Sequence, residues 1–380
     1  SFSANPAGVA AQGRLTADLF APLGFTAQFV PSEHSGYGAH LFLSRPGSNA
    51  SSQPIVLVSH LDTVYPPEEE IANHFSWEPV PAEDRIYGPG TIDIKGGTTL
   101  MLLTLEGLRH FAPDVFEARS WILAFDATEE VMTRDFAVRV SERCPRGAAA
   151  VLVFEGGPVV SDSWQIVESR KGREVFRISA LGRGAHAGSA HADGINAVVS
   201  LAAAVQSAAK LTDHSRALTV NIGLIQGGTV VNRVPHEAWA ELEVRAYEPA
   251  LLDDVAAALH ALERPIAPGQ AEIRVTSLGR SPAWPVSPEN AALGRHWVEA
   301  ARSLGLILQP GPRGGLSDAN YLWHLGPTLD GLGPSGGNAH CSERSADRSK
   351  LPEYVEPRTF VPKAAINVLA LLRWSSPPAG

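Results

Sequence analysis

Two adjacent carboxylates, Glu129 and Glu130, follow the apolar run Trp121-Ile-Leu-Ala-Phe125. The run reads as a buried strand, so the pair stands where a strand gives way to a loop, and open α/β sheets carry their ligand sites there. Neighbouring side chains point in different directions, so one acid can hold a cation while the other handles a proton. Alone, such a pair is more often a solvated loop; three other stretches decide the matter. A second apolar run, residues 55–58, leads into Ser59-His60-Leu61-Asp62-Thr63. His60 and Asp62 are two apart and on extended backbone project to one side, the spacing of a metal-bound imidazole with a supporting carboxylate. A third run, 149–154, ends at Glu155-Gly-Gly157. Asp93 lies in the Gly-rich stretch Tyr87-Gly-Pro-Gly-Thr-Ile-Asp93-Ile-Lys-Gly-Gly97, just ahead of a predicted helix over 98–110. A carboxylate there also suits a helix N-terminus.

The elements that must position these groups follow from periodicity. A helix is predicted over 9–23 with Gly24 as its stop, and strands over 26–30 and 40–43. A Pro-rich loop covers 65–84 and a helix 133–143. From about residue 168 the pattern changes to strand 175–181, helix 195–211, strands 218–225 and 238–246, helix 250–262 and strand 271–278. That βαββαβ order is the ferredoxin-like unit. The expected organisation is therefore an α/β domain over 1–168 and 282–380, with a ferredoxin-like domain inserted at 169–281. The second part of the α/β domain holds a helix at 290–304, the loop Gly314-Gly-Leu-Ser-Asp318, a glycine loop from Gly331 to His340, and a helix at 359–374. The tail from Ser375 reads as a frayed end.

Composition narrows the function classes. With 380 residues, 44% of them hydrophobic, the chain can bury a large core. A net charge of −9 argues against a nucleic-acid partner. The two cysteines, Cys144 and Cys341, exclude a disulfide framework and a thiolate metal site. Any metal ligands must be His, Asp or Glu. No apolar run reaches the ~18 residues of a membrane span, so no membrane partner is expected. The opening Ser-Phe-Ser lacks a Met and a signal-peptide pattern. A cytoplasmic location is favoured, with a periplasmic or secreted one if an N-terminal segment has been removed.

Ser59-His-Leu-Asp-Thr-Val64, Gly90-Thr-Ile-Asp-Ile-Lys-Gly-Gly97, Glu129-Glu130, Glu155, Ala185-His-Ala-Gly188, Gly194-Ile-Asn-Ala197 and a late His340 occur in that order. In this the chain resembles the M20 dinuclear zinc metallopeptidases, in particular the glutamate carboxypeptidase (carboxypeptidase G2-like) branch. The resemblance implies a zinc-peptidase-like catalytic domain, with a central mixed sheet flanked by helices, and an inserted dimerisation domain. It implies that Asp93 bridges two metals, one also bound by His60 and Glu155, the other by Glu130 and His340. Asp62 would orient His60, and Glu129 would be the general base acting on a metal-bridging water. His186, on the inserted domain, would reach into the partner subunit's site and polarise the scissile carbonyl, whereas His191 is read as a surface residue. Zinc suits such ligands, as manganese or cobalt also would.

Substrate recognition is assigned to Asn232, Arg245 and Arg280, polar or cationic groups near strand ends of the insert, and to Gly314 and Gly315, whose backbone N–H groups suit a carboxylate. Arg280, in Gly-Arg-Ser-Pro, resembles the branch's Gly-Arg-Pro segment and is expected to hold the substrate's terminal carboxylate. The chain departs from the family pattern at Val131-Met-Thr-Arg134, where a Gly/Ser-rich continuation is expected, and in the long link from Cys341 to Lys350. The expected activity is a homodimeric di-metal carboxypeptidase releasing a C-terminal residue, possibly glutamate, from a peptide or N-acyl amino acid. The alternatives are the same site acting on a non-peptide C–N bond, as an N-deacylase or amine-releasing aminohydrolase, and a non-catalytic dimeric binding protein.

Overall fold

The computed structural model describes residues 1–48, 52–160 and 163–375, so the tail expected to fray lies, from residue 376 on, outside the described residues. The chain divides into two compact units: Ser1–Glu168 with Val286–Pro312 and Ser317–Gly380, and Ser169–Pro285 with Arg313–Leu316. The Gly314-Gly315 loop thus groups with the second unit, where the sequence pattern had put it in the flanking domain.

The first unit opens with α1 (Pro6–Phe20), whose first turn is capped by the Asn5 side chain accepting the Gly8 N–H at 3.1 Å. Gly24, at φ 82°, ends the following 3-10 turn. Then come β1 (Thr26–Pro31), β2 (Ala39–Arg45), β3 (Ile55–His60), α2 (Gly96–Phe111), β4 (Trp121–Asp126), α3 (Asp135–Arg143) and β5 (Ala150–Val153). The second unit holds β6 (Gly172–Leu181), α4 (Ala197–Ala209), β7 (Thr219–Gly227), β8 (Glu237–Ala246), α5 (Pro249–His260) and β9 (Glu272–Ser281). The chain returns to the first unit with α6 (Pro288–Ser303), β10 (Thr328–Leu329) and α7 (Phe360–Ser375).

The first unit is built on a mixed six-stranded sheet of order β1-β2-β4-β3-β5-β10. β3 runs parallel to both β4 and β5, so three neighbouring strands end at one edge. β3 and β4 are buried at every position, which explains why they read as unbroken apolar runs rather than alternating ones. Leu57, Leu123 and Leu152 pack with α2 residues Leu100, Met101 and Leu105 and with Trp297 of α6 in one core. The second unit is an antiparallel sheet of order β7-β8-β6-β9 with α4 and α5 in its connections, which is ferredoxin-like order. Its separate core includes Phe176, Ile178, Leu201, Leu242, Leu252 and Ile273.

The loop expected over 65–84 carries a short helix, Pro67–Ala72, and a strand, Glu78–Val80. Beside short strands such as Arg85–Tyr87, Gly336–Gly337 and Tyr354–Val355, two longer ones have no counterpart in the sequence reading. Ser163–Arg170 has no clean alternation, and Leu308–Arg313 contains Pro and Gly, which mask a strand signal.

Candidate active site

The register of the parallel strands assembles the site. His60 closes β3 directly opposite Asp126, which closes β4 and leads into Glu129 and Glu130. The Phe154 N–H donates to the Val58 carbonyl at 2.9 Å, bringing Glu155 to the same edge. α2 begins against that edge: a Cβ on Gly97 would stand 2.0 Å from the Phe154 carbonyl oxygen, so only glycine permits the approach.

Asp93 lies in the turn Thr91–Lys95 that precedes α2, and its side chain does not cap the helix. The turn is held by Glu353, which is fully buried. Its Oε1 accepts the N–H groups of Ile92 (2.8 Å) and Asp93 (3.1 Å), and its Oε2 accepts the Tyr65 hydroxyl at 2.7 Å. The glycine loop ending in His340 is drawn to this turn by a small sheet in which Gly336–Gly337 pairs with Tyr354–Val355, and the latter with Arg85–Tyr87.

The result is a carboxylate shared between two imidazoles. His60 Nε2 lies 3.0 Å from Asp93 Oδ1 and 3.9 Å from Glu155 Oε1. His340 Nε2 lies 3.2 Å from Asp93 Oδ2 and 3.1 Å from Glu130 Oε2. Among the described residues, His60, Asp93 and Glu130 form a potential ligand group whose donor atoms lie within 4.8 Å of one another. Asp62 stands behind His60: the imidazole Nδ1 is 3.3 Å from Oδ1 and 3.1 Å from the Asp62 carbonyl. Asp62 Oδ2 accepts the Ser3 hydroxyl (2.7 Å) and the Glu130 N–H (3.2 Å), so one acid fixes both a histidine and the acid pair.

Burial pushes the Glu129 carboxyl well above its ordinary range; Glu155, Glu130 and Asp93 add to this and His60 opposes it. Glu130 is also raised by burial, with His340 opposing. For Asp93, burial is outweighed by His340 and His60, which hold it low. His340 is pushed up to about 10 by Asp93 and Glu130. His60 is likewise raised, Asp62 and Asp93 outweighing its burial. Four acids converging on two imidazoles is a donor set that divalent cations relieve, with hard oxygen and imidazole nitrogen atoms and no thiolate.

Residues 56–356 match the profile described as Peptidase family M20/M25/M40. The chain belongs to this family. It is 26% identical over 355 residues to carboxypeptidase G2 from Pseudomonas sp. (strain RS-16), an alignment covering 91% of this chain and 81% of that protein. Among solved structures it resembles the aminopeptidase PepT from Bacillus cereus, with TM-score 0.77 at 19% identity over 98% of this chain and 95% of that one. It also resembles the M20 metallo-carboxypeptidase Sso-CP2 from Sulfolobus solfataricus, with TM-score 0.66 at 15% identity over 98% and 95%. The M20 chain is thus a hydrolase of the metallopeptidase and amidohydrolase type, in a mixed α/β fold shared with these structures.

The residues assigned to substrate lie in the second unit. His186 is exposed; its Nδ1 accepts the N–H groups of Gly188 and Ser189, both at 3.1 Å, which leaves Nε2 as the protonated nitrogen. The neighbouring Ala187 N–H donates to the Asn232 carbonyl at 3.0 Å. His191 is exposed and lines, with Asn196 and Arg233, an open cavity of about 560 Å³. Arg245 is engaged by Glu243 at 2.6 Å and donates to the Gly314 carbonyl at 2.9 Å. The Gly315 carbonyl accepts from Arg170 at 3.0 Å. Arg280 pairs with Asp253 at 2.6 Å and lies 3.7 Å from Glu174, so a substrate carboxylate would have to share it.

Sequence reasoning missed Ser3, Glu353 and a buried group around His40. His40 Nδ1 is 3.0 Å from Asp126 Oδ1 and Nε2 is 3.1 Å from Asp135 Oδ2. Two carboxylates at those distances favour the imidazolium over a neutral ring whose Nδ1 would accept the Ala127 N–H at 3.2 Å. Burial lowers the His40 imidazole, but Asp126 and Asp135 outweigh it and the balance is upward. Burial raises Asp135, but Thr133, His40, the Glu33 N–H and Ser32 outweigh it and hold the carboxyl low. No motif marks these residues; His40 is a polar letter in a strand, a position that is usually solvent-facing.

Proposed function

We propose that the protein is a di-metal hydrolase that cleaves an amide C–N bond beside a carboxylate, as a carboxypeptidase acting on a peptide or an N-acyl amino acid. The observation that carries this reading is the division of the Asp93 carboxylate, one oxygen toward His60 and Glu155, the other toward His340 and Glu130. Those five residues would hold two divalent ions, zinc first among them, which when bound supply Lewis-acid polarisation and acidify water. Glu129 takes the proton of the attacking water and returns it to the leaving nitrogen. A base must be ionised; cations beside Glu129 would offset the burial and like charges that hold its carboxyl up. His186, with Nε2–H free to donate, would stabilise the developing oxyanion from the partner subunit of a homodimer. The edge strand β7, with Leu224 and Ile225 exposed, supports pairing between second units.

The test is release of free amine from N-acyl amino acids and dipeptides by zinc-loaded protein. Glu129→Gln should bind metal normally and lose about 10²- to 10⁴-fold in turnover, the size of a general-base contribution. Near-normal turnover would remove Glu129 from the mechanism. A second reading, the same chemistry on a non-peptide amide, gains support from the engagement of Arg280 by Asp253. Activity on neutral amides, without preference for a terminal carboxylate, would select it.

A further inference from the structure

We propose that His40, Thr133 and Asp135 are positioning residues that clamp the turn carrying Glu129 and Glu130, a role that rests on the hydrolytic reading of that turn. The contacts form a closed ring of side chains. His40 joins Asp126 to Asp135 through its two ring nitrogens. Asp126 Oδ1 accepts the Thr128 N–H at 2.8 Å and faces the Thr128 hydroxyl at 2.9 Å. The Thr128 hydroxyl bonds to that of Thr133, and Thr133 donates to Asp135 Oδ1 at 2.6 Å. Inside the ring lie only residues 129–132: the 3-10 turn Glu129–Val131, closed by Met132 at φ 55°.

Both ends of the acid-bearing turn are therefore tied to one imidazole. Asp126 and Thr128 anchor the entry, Thr133 and Asp135 the exit. Asp135 is itself fixed from outside, its Oδ2 accepting the Ser32 hydroxyl and the Glu33 N–H, both at 2.8 Å. His40, Asp126, Thr128 and Asp135 are all buried. An imidazole and two acids are costly to bury, and an apolar group of the same volume would often stabilise the fold better. What such a network provides instead is a single geometry, because a buried polar group has few satisfied alternatives. The geometry fixed here is that of a base and a metal ligand, where small displacements are expensive.

The test uses the full-length protein and Asp135→Ala, Asp135→Asn and Thr133→Val. For each, kcat and KM are measured alongside zinc affinity by calorimetry of metal-stripped protein and the thermal midpoint. Asp135→Ala and Thr133→Val should lower kcat, and zinc affinity at one of two sites, by about 10- to 100-fold, the range for residues supporting metal ligands, with KM little changed. Asp135→Asn retains an acceptor for His40 and should recover most of both losses. Folded Ala and Val variants with wild-type kcat and zinc affinity would overturn the clamp, as would an Asn variant as impaired as Ala. If Asp135→Ala does not fold, Thr133→Val decides alone. Wild-type protein that binds zinc but hydrolyses no amide would defeat the hydrolase reading, and the calorimetry would still decide the clamp.

Discussion

Glu353 illustrates how much of the site rests on one side chain outside the candidate ligand set. It satisfies two backbone N–H groups of the Asp93 turn and the Tyr65 hydroxyl with two oxygens. Glu353→Ala would strand these donors in a buried setting, at roughly 1–3 kcal/mol for each one left unsatisfied. Urea unfolding should show that loss, while Glu353→Gln, which keeps an acceptor toward Ile92 and Asp93, should lose much less. The His40–Asp135 pair sets a pH window. Asp135 has a folded pKa below its ordinary 3.8, so its contribution is present above 3.8 and lost as pH falls through the folded value. His40 has a folded pKa above 6.5, so its contribution is complete below 6.5 and lost as pH rises through the folded value. The stability gap between wild type and Asp135→Asn should therefore be widest between 3.8 and 6.5 and shrink in acid. A gap that grows in acid would reverse the assigned sign.

At the scale of elements, the strands that carry the site were legible because burial on both faces makes them continuous apolar runs. β3 ends on His60, and Glu129-Glu130 and Glu155 follow just beyond the ends of β4 and β5, so position in the sheet could be read from the sequence. The supports were not legible. Ser163–Arg170 mixes buried and half-buried positions without a period, and Leu308–Arg313 hides behind Pro and Gly. His40, Glu353 and Asp135 act across about 95 or 260 residues of sequence separation, and nothing local announces a partner so distant. Gly97 sits between these cases: visible as a glycine pair, its reason appears only where α2 meets β5. Gly97→Ala would force the Phe154 carbonyl or the helix aside, an overpacking cost of about 1–3 kcal/mol. Because Asp93 precedes this helix and Glu155 follows that strand, zinc affinity should fall along with the thermal midpoint. A fall in the midpoint with unchanged affinity would mean that the junction serves the fold alone.

For the whole molecule, the charge of −9 is not spread evenly in its consequences. Asp93, Glu129, Glu130 and Glu155 converge on one sheet edge of the first unit, while the second unit keeps its own core and pairs several of its acids with arginine, as in Glu243 with Arg173 and Arg245, and Glu241 with Arg177. Cations bound at the edge stabilise the folded state in proportion to the logarithm of their concentration over the dissociation constant. Chelation should accordingly act on one unit. Hydrogen exchange of metal-stripped protein should quicken at the β3 end, the Asp93 turn, residues 127–134 and the glycine loop before His340, with the ferredoxin-like sheet unchanged. Added zinc should reverse it. Faster exchange confined to β6–β9, or none at the sheet edge, would show that the acids at that edge hold no cation.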